Sequence, residues 1–435
     1  DGQTIFQDNI FGRHVKASTN FPTEYNLEES IWHCHRLVNE FCNKAVEYPA
    51  GPVHINVPMR EPFYPEKDEK ISYSSEIKIT NLEFFNSNFS EFHNENLYDF
   101  KRVLIVAGQD KLDLELAKLL SEISENFHIP VVGDIISNMS HVKNLVSTQD
   151  IFLKNKENYS ALTPDLIISF GKSVISKNLK VFLRKTKSKN HWHIQSSGDV
   201  ADTYQCLSKI IRCSPLDYFR YFFQTKKMDL RKNYYDLWLK KNKETQLRLE
   251  SHIETSEEFS EFKVYKHLLD SLPNNIDLHL ANSMSVRYAN IIGLKQNRDI
   301  EVFANRGTSG IDGSVSTAIG AALATDREVY LLIGDMAFFY DRNAFWHNHL
   351  PHNLKIILFN NHGGGIFGMI DGPSRQPELQ EFFVTAQKLT AEHLVKEFEL
   401  GYKLCTNIFE LNNGINELMK PNKKPFILEI ETLMD

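Results

Sequence analysis

Two apolar runs near the carboxyl end limit what this chain can fold into. They are VYLLI at Val329–Ile333 and LKIILF at Leu354–Phe359, the second interrupted only by Lys355. Runs of this length without polar alternation read as strands buried on both faces, which is the habit of a parallel sheet covered by helices. Each run stops abruptly at polar groups, Gly334-Asp335 on the first and Asn360-Asn361 on the second. Ligands of open α/β sheets sit beyond the carboxyl ends of the strands, so Asp335 and Asn361 are expected side by side at one sheet edge. A carboxylate, an amide oxygen and the Gly363 carbonyl suit a hard cation, Mg²⁺ or Mn²⁺, that keeps phosphate oxygens among its other ligands. Gly363, Gly364 and Gly365 let backbone approach a diphosphate closely. An Asp after a strand also serves as a helix N-cap, and Asn-Asn before Gly is a common turn. The two halves together, at this spacing, favour the ligand cradle.

The chain has 435 residues, enough for two or three domains. Its net charge is −7 with no basic block, which argues against a nucleic-acid surface. No apolar run approaches the length of a bilayer span. The five cysteines (Cys34, Cys42, Cys206, Cys213 and Cys405) lack metal or redox spacing, and a cytoplasmic protein is expected. Residues 1–65 are too few for a domain, yet GPVHINVP at 51–58 reads as a buried strand at a domain's end. The N-terminal part of a larger protein is therefore expected to precede Asp1.

Residues 28–47 carry apolar side chains at helical spacing, and Pro49-Ala50-Gly51-Pro52 breaks that helix before a strand at Val53–Val57. Residues 60–98 are polar and read as a linker plus a surface helix. From 101, KRVLIVAG, IPVVGDI, PDLIISFG and HWHIQ read as strands, with a helix at Leu112–Phe127 between the first two. Such alternation implies a Rossmann-like parallel-sheet domain. Its strand-end turns, Ala107-Gly108-Gln109 and Phe170-Gly171-Lys172, lack a dinucleotide fingerprint. Residues 217–263 are helix-rich and charged, and read as a linker with a solvated face. The last domain should begin with a helix at Phe262–Leu272, then strands at Ile276–Ala281 and Val302–Ala304 and a small-residue helix over 313–325.

Two further segments of that domain end in functional-looking residues. LHLANSMSVR offers Asn282, Ser283 and Arg287; FANRGTSGIDG offers Asn305, Arg306 and the run Gly307–Asp312. Hydroxyls and backbone N–H groups in Gly-rich turns bind phosphate at helix N-termini, and the two arginines suit carboxylates.

GD followed by NN closing on a Gly turn resembles the metal–diphosphate motif of thiamine diphosphate enzymes. ANSMSVR, NRGTSGIDGSVSTAIGAA, LLIGDMAFFYDRNAF and NNHGGGIF narrow the resemblance to the 2-succinyl-5-enolpyruvyl-6-hydroxy-3-cyclohexene-1-carboxylate synthase family of menaquinone biosynthesis. Gly2-Gln3 and GPVHINVPMREPFYP are similar to that family too. The similarity is dense in 1–65 and 279–370 and weak between. The resemblance implies a thiamine diphosphate-binding fold of successive parallel-sheet α/β domains. Residues 1–65 would be the end of a pyrimidine-binding domain, 66–255 the middle domain with its linkers, and 256–435 the diphosphate-binding domain. It implies Asp335, Asn361 and the Gly363 carbonyl as Mg²⁺ ligands. Asn282, Ser283, Ser309, Gly334, Gly364 and Ile366 would contact the cofactor, and Ile311 would be the wedge that bends it. Gln3, Arg287 and Arg306 would serve catalysis and substrate binding, with Phe367 and Ile370 lining the pocket. Met336 matches the larger apolar residue of this family where many thiamine enzymes have glycine. The reaction implied decarboxylates 2-oxoglutarate and adds the succinyl semialdehyde unit to isochorismate, in a homodimer or homotetramer. The activating glutamate of such enzymes would lie before Asp1, so a scaffold without activity stays open for the chain as it stands. Another thiamine-dependent 2-oxo acid decarboxylase or acetolactate-type carboligase also stays open.

Overall fold

The structure, a computed structural model, describes residues 5–24, 27–59, 100–186, 188–198, 200–223, 232–256, 259–296 and 298–432. The reading of 60–98 as a linker and surface helix lies outside the described residues, as does Gln3. The chain divides into two units, one of Asp1–Asn94 with Gln195–Val200, the other of Glu95–Ile194 with Ala201–Asp435.

In the first unit, β1 (Ser18–Asn20) and β2 (His54–Asn56) form a parallel pair, connected through the helix Glu28–Val46. The helix follows the apolar periodicity of its sequence, burying Leu37 and Phe41 and leaving Trp32 and Val46 exposed. The pair is fastened by side chains as well as backbone: Asn56 Nδ2 donates to Asn20 Oδ1 at 2.8 Å.

The second unit holds two parallel sheets. The smaller has the order β4-β3-β5-β6-β7, with β3 Val103–Ala107, β4 Val131–Gly133, β5 Leu166–Phe170, β6 Asn190–Ile194 and β7 Lys209–Ile211. The chain turns from one side of β3 to the other between β4 and β5, so its switch point lies between β3 and β5. There the turns after β3 and β5 close on each other. Gly108 N–H donates to Phe170 O at 2.8 Å and Lys172 N–H to Gln109 O at 2.8 Å. A Cβ on Gly108 would stand 1.9 Å from the Lys172 carbonyl oxygen, so only glycine fits.

The charged stretch read as a linker is instead structural. The helix Lys232–Thr255 buries Tyr234, Tyr235 and Trp238, and Trp238 packs its ring against Phe152, Phe182 and Tyr234. Its solvated face dominates the composition, and the few aromatic residues that fix it are too sparse to raise the hydrophobic periodicity.

The larger sheet has the order β12-β13-β11-β10-β8-β9 and is parallel throughout. Its strands are β8 Ile276–Leu280, β9 Ile300–Phe303, β10 Glu328–Gly334, β11 Leu354–Asn360, β12 Gly401–Cys405 and β13 Phe426–Glu431. The two apolar runs are β10 and β11, neighbours near the middle of the sheet. Lys355, the one charge within them, is buried and passes its ammonium to the Lys420 carbonyl at 2.8 Å.

Burial pushes the imidazoles of His191 on β6 and His279 on β8 down to about 4, against an ordinary value of about 6.5. The unfolded chain therefore takes up protons that the folded chain refuses, and stability is lost as pH falls from about 6.5 to about 4. Asp134, raised by burial to about 6, acts oppositely, since its ionisation opposes folding as pH rises through that window. Two histidines outweigh one carboxyl. Melting temperature should fall on acidification from pH about 7 to about 4.5, and His279→Phe should shallow that fall.

Candidate functional site

Four adjacent strands present their carboxyl ends to one cavity region. Register pairs Gly334 with Phe359 and Leu332 with Leu280. The residues just past those pairs, Asp335 and Asn361 on one side and Asn282 on the other, therefore reach one edge together. The sheet reverses direction of growth between β8 and β10, and that switch point is where Asn282 and Asp335 stand. A cavity of about 440 Å³ opens there. Its walls include Asn282, Ser283, Arg287, Ser309, Ile311, Gly334, Asp335, Asn361, Gly363, Gly364, Ile366, Phe367 and Ile370. Among the described residues these are all the expected site residues except Arg306.

Asn282 builds the wall on the β8 side. It is 3% exposed, and its amide nitrogen donates to the carbonyls of Asn305 at 2.9 Å and Gly310 at 2.7 Å. Its amide oxygen accepts from Arg306 Nη1 at 2.6 Å. One side chain thus ties the loop after β9 to the end of β8. Arg306 stands behind Asn282 rather than in the wall. Ser283 follows at φ 71, a strained conformation for a residue with a Cβ, and starts the helix Met284–Ile292. Arg287, one turn along, folds its guanidinium back to the Ser283 carbonyl at 2.6 Å.

The two arginines are electrostatically unusual. Each is half-buried and held below its ordinary pKa by loss of solvent, and Arg306 is lowered further by Arg287 nearby. The hydrogen-bond acceptors named above are a carbonyl and an amide oxygen, neither charged. Arg306 Nε is buried with no partner. A desolvated pair of like charges is a site for an anion.

On the β10 side, Asp335 is 2% exposed. Its carboxylate accepts from the Met336 N–H at 2.7 Å and from Gln387 Nε2 at 2.7 Å. Burial raises its pKa in spite of these bonds and of the Gly363 N–H. A carboxylate enclosed by neutral donors gains from a cation. Among the described residues no three His, Cys, Asp or Glu side chains cluster to hold a metal alone. The Asp335 set has a single carboxylate and needs oxygens from a ligand to complete a hard-cation shell. The Gly turn is cut to fit closely: a Cβ on Gly364 would stand 3.0 Å from the Phe383 carbonyl, and Gly364 N–H donates to Val384 O at 2.7 Å. His362 within that turn adopts φ 63 and directs Nε2 to Glu431 at 3.3 Å.

Sequence reasoning missed four contributors. Gln387 holds Asp335, Phe383 and Thr385 close the cavity from the π-helical segment Leu379–Val384 and its cap, and Glu261 lines the floor at 5% exposure. Glu261 accepts from Asn361 Nδ2 at 3.4 Å. No spacing signals these residues, because each arrives from a segment remote in sequence.

Residues 83–280 match the family described as the middle domain of thiamine pyrophosphate, and 283–430 match the C-terminal TPP binding domain of thiamine pyrophosphate enzymes. A 2-succinyl-5-enolpyruvyl-6-hydroxy-3-cyclohexene-1-carboxylate synthase of Cytophaga hutchinsonii is 41% identical over 437 residues, covering 99% of this chain and 77% of the relative. The proteins of that name from Flavobacterium johnsoniae and Desulfotalea psychrophila are 35% and 33% identical, each over 99% of this chain and over 76% and 78% of their own lengths. The chain belongs to the 2-succinyl-5-enolpyruvyl-6-hydroxy-3-cyclohexene-1-carboxylate synthase family. Like other members of this synthase family it is a thiamine-dependent enzyme by domain make-up, and most of the cavity wall falls in the segment matching the TPP binding domain. None of the described helices is long and apolar enough to cross a membrane.

Asn282→Ala would leave two carbonyls and the Arg306 guanidinium without partners. It should cost about 1–3 kcal/mol, read as a lower unfolding midpoint in urea, and should raise protease cleavage within 305–312.

Proposed function

We propose that the cavity holds the diphosphate of thiamine diphosphate with Mg²⁺, and that the protein decarboxylates 2-oxoglutarate and joins the product to isochorismate in menaquinone biosynthesis. The observation that carries this reading is that one cavity is lined by the buried Asp335 carboxylate and the desolvated Arg287, with Arg306 close behind Asn282. Asp335, the Asn361 amide oxygen and the Gly363 carbonyl would hold the metal. The Gly334 and Gly364 backbone with Asn282, Ser283 and Ser309 would cradle the cofactor, which when bound supplies the electron sink for loss of CO₂. Arg287 would hold a substrate carboxylate from the wall, and Arg306 would add its charge from behind Asn282. Ile311, Ile366, Phe367 and Ile370 would exclude water, so that these charges act in a medium of low polarity.

The relatives' shared name supports this substrate pair. The site is read as completed by the pyrimidine-binding domain of a partner subunit, in a cytoplasmic homodimer or homotetramer. Residues 1–65 would be the tail of such a domain and Gln3 would stand near the reacting carbon. Exposed Trp346, Tyr340 and Phe382 on the last unit suit a subunit interface.

The test is CO₂ release from 2-oxoglutarate by the purified protein given thiamine diphosphate and Mg²⁺, with and without isochorismate. Release that depends on isochorismate, with product formed, is expected. Equal release without it, or preference for pyruvate, would point to a simple decarboxylase or acetolactate-type carboligase and overturn the reading. Asp335→Ala should weaken Mg²⁺-dependent cofactor binding, followed by fluorescence quenching, by 100-fold or more; tight binding in that variant would remove Asp335 from the metal site.

A further inference from the structure

One carboxylate in the second unit has no role in the chemistry proposed above, yet it is among the best-satisfied groups in the protein. Asp134 follows β4 and is 3% exposed. Its Oδ2 accepts from the N–H groups of Ile175 and of Ser176, the latter at 3.0 Å. Its Oδ1 accepts from Gln149 Nε2 at 2.7 Å and from Asn290 Nδ2 at 3.4 Å. Asn290 returns the contact, its Oδ1 accepting from the Ile135 N–H at 2.8 Å. The side-chain amide of Asn290 therefore bridges the Asp134 carboxylate and the Ile135 N–H.

Asn290 lies on the helix Met284–Ile292, three residues beyond Arg287, so the two side chains neighbour each other on one helical face. The same end of the smaller sheet grips β9 and the start of the loop that carries Arg306. Asn138 Nδ2 donates to the Val302 carbonyl at 3.0 Å and its Oδ1 accepts from the Val302 N–H at 2.7 Å. Gln109 Nε2 donates to the Ala304 carbonyl at 2.8 Å.

We propose that Asp134 is a positioning residue for substrate binding: through Asn290 it fixes the helix that delivers Arg287 to the cavity. The inference rests on the reading of Arg287 as a substrate-carboxylate ligand. A long, flexible cation contributes to binding only when its anchor is fixed, because freedom regained by the side chain is lost again on each binding event. Asp134 supplies that anchor from a separate sheet, and so makes the smaller sheet part of the substrate site without touching substrate.

The charge balance around Asp134 fits a positioning duty better than a stabilising one. Burial pushes its carboxyl up to about 6, and Asp150 adds to the rise. The other charged or titratable groups facing it are Lys180 from the helix Lys177–Thr186, Arg306 from the loop after β9, and Tyr204. A carboxyl raised in the folded state opposes folding once ionised, so above pH about 6 the charge is carried at a loss of stability.

Asp134→Asn in the holoenzyme is expected to raise the KM for 2-oxoglutarate 10-fold or more. The same variant should hold kcat and thiamine diphosphate affinity within twofold and leave the melting temperature at pH 7.5 unchanged or higher. Asn290→Ala, which cuts the link on the other side, should give the same KM rise, and the double variant no further rise. Unchanged KM in both single variants would overturn the proposal. So would joint loss of kcat, cofactor affinity and melting temperature in Asp134→Asn, because that pattern belongs to a merely structural residue. If the unsubstituted holoenzyme fails to turn over 2-oxoglutarate, the functional reading falls first and the proposal with it.

Discussion

The parallel pairing of β10 with both β8 and β11 governs the rest of the molecule. Register leaves no freedom in which residues emerge at the carboxyl edge: once Leu332 faces Leu280 and Gly334 faces Phe359, Asp335, Asn361 and Asn282 must arrive together. A slip of one residue would turn every buried side chain of β10 to the opposite face. The alternating partners Val329, Leu331 and Ile333 on one face and Tyr330 and Leu332 on the other belong to different cores, so such a slip has no tolerable form. Packing and site geometry are thus consequences of one choice of pairing.

Around that edge, polar side chains act on backbone more than on each other. Asn282 gathers the carbonyls of the loop after β9, Gln387 and the Met336 amide hold the Asp335 carboxylate, and the Gly364 amide reaches the segment that closes the cavity. Among the described residues, Asp335, Arg287 and Arg306 make no direct ion pair, so their charges stay available to a ligand. Structural satisfaction and binding capacity are divided between different residue types, amides for the first and ions for the second.

Much of this was legible in the sequence, for physical reasons that differ by residue. β10 and β11 announce themselves because burial on both faces demands unbroken apolar runs, and their polar terminators mark the ligand edge. The small-residue helix Ser314–Ala324 matched its expected span because close packing on a sheet selects small side chains along its whole length. The helix Lys232–Thr255 was mistaken for a linker because its buried face rests on a few aromatic residues amid charges. Glu261 and Gln387 were invisible because their roles depend on where distant segments return in space. Arg306 was expected to contact substrate or cofactor, and its place behind Asn282 follows from a hydrogen bond that no spacing encodes.

The turns that follow β3 and β5 bear on the kinship of the two sheets. Each sheet has a switch-point crevice, the place where α/β proteins of this architecture usually admit a nucleotide. In the smaller sheet Gly108 and the Lys172 peptide occupy that place with backbone, at a separation that excludes even a methyl group. Beside them, Gln109 of the first turn and Asn138 of the segment after β4 bond to the neighbouring sheet's β9 and the loop after it. Of the two switch points, one thus opens on a cavity and the other is closed by backbone, with the polar groups beside it bonded to the neighbouring sheet. Replacing Gly108 would disturb an internal joint before it disturbed any pocket.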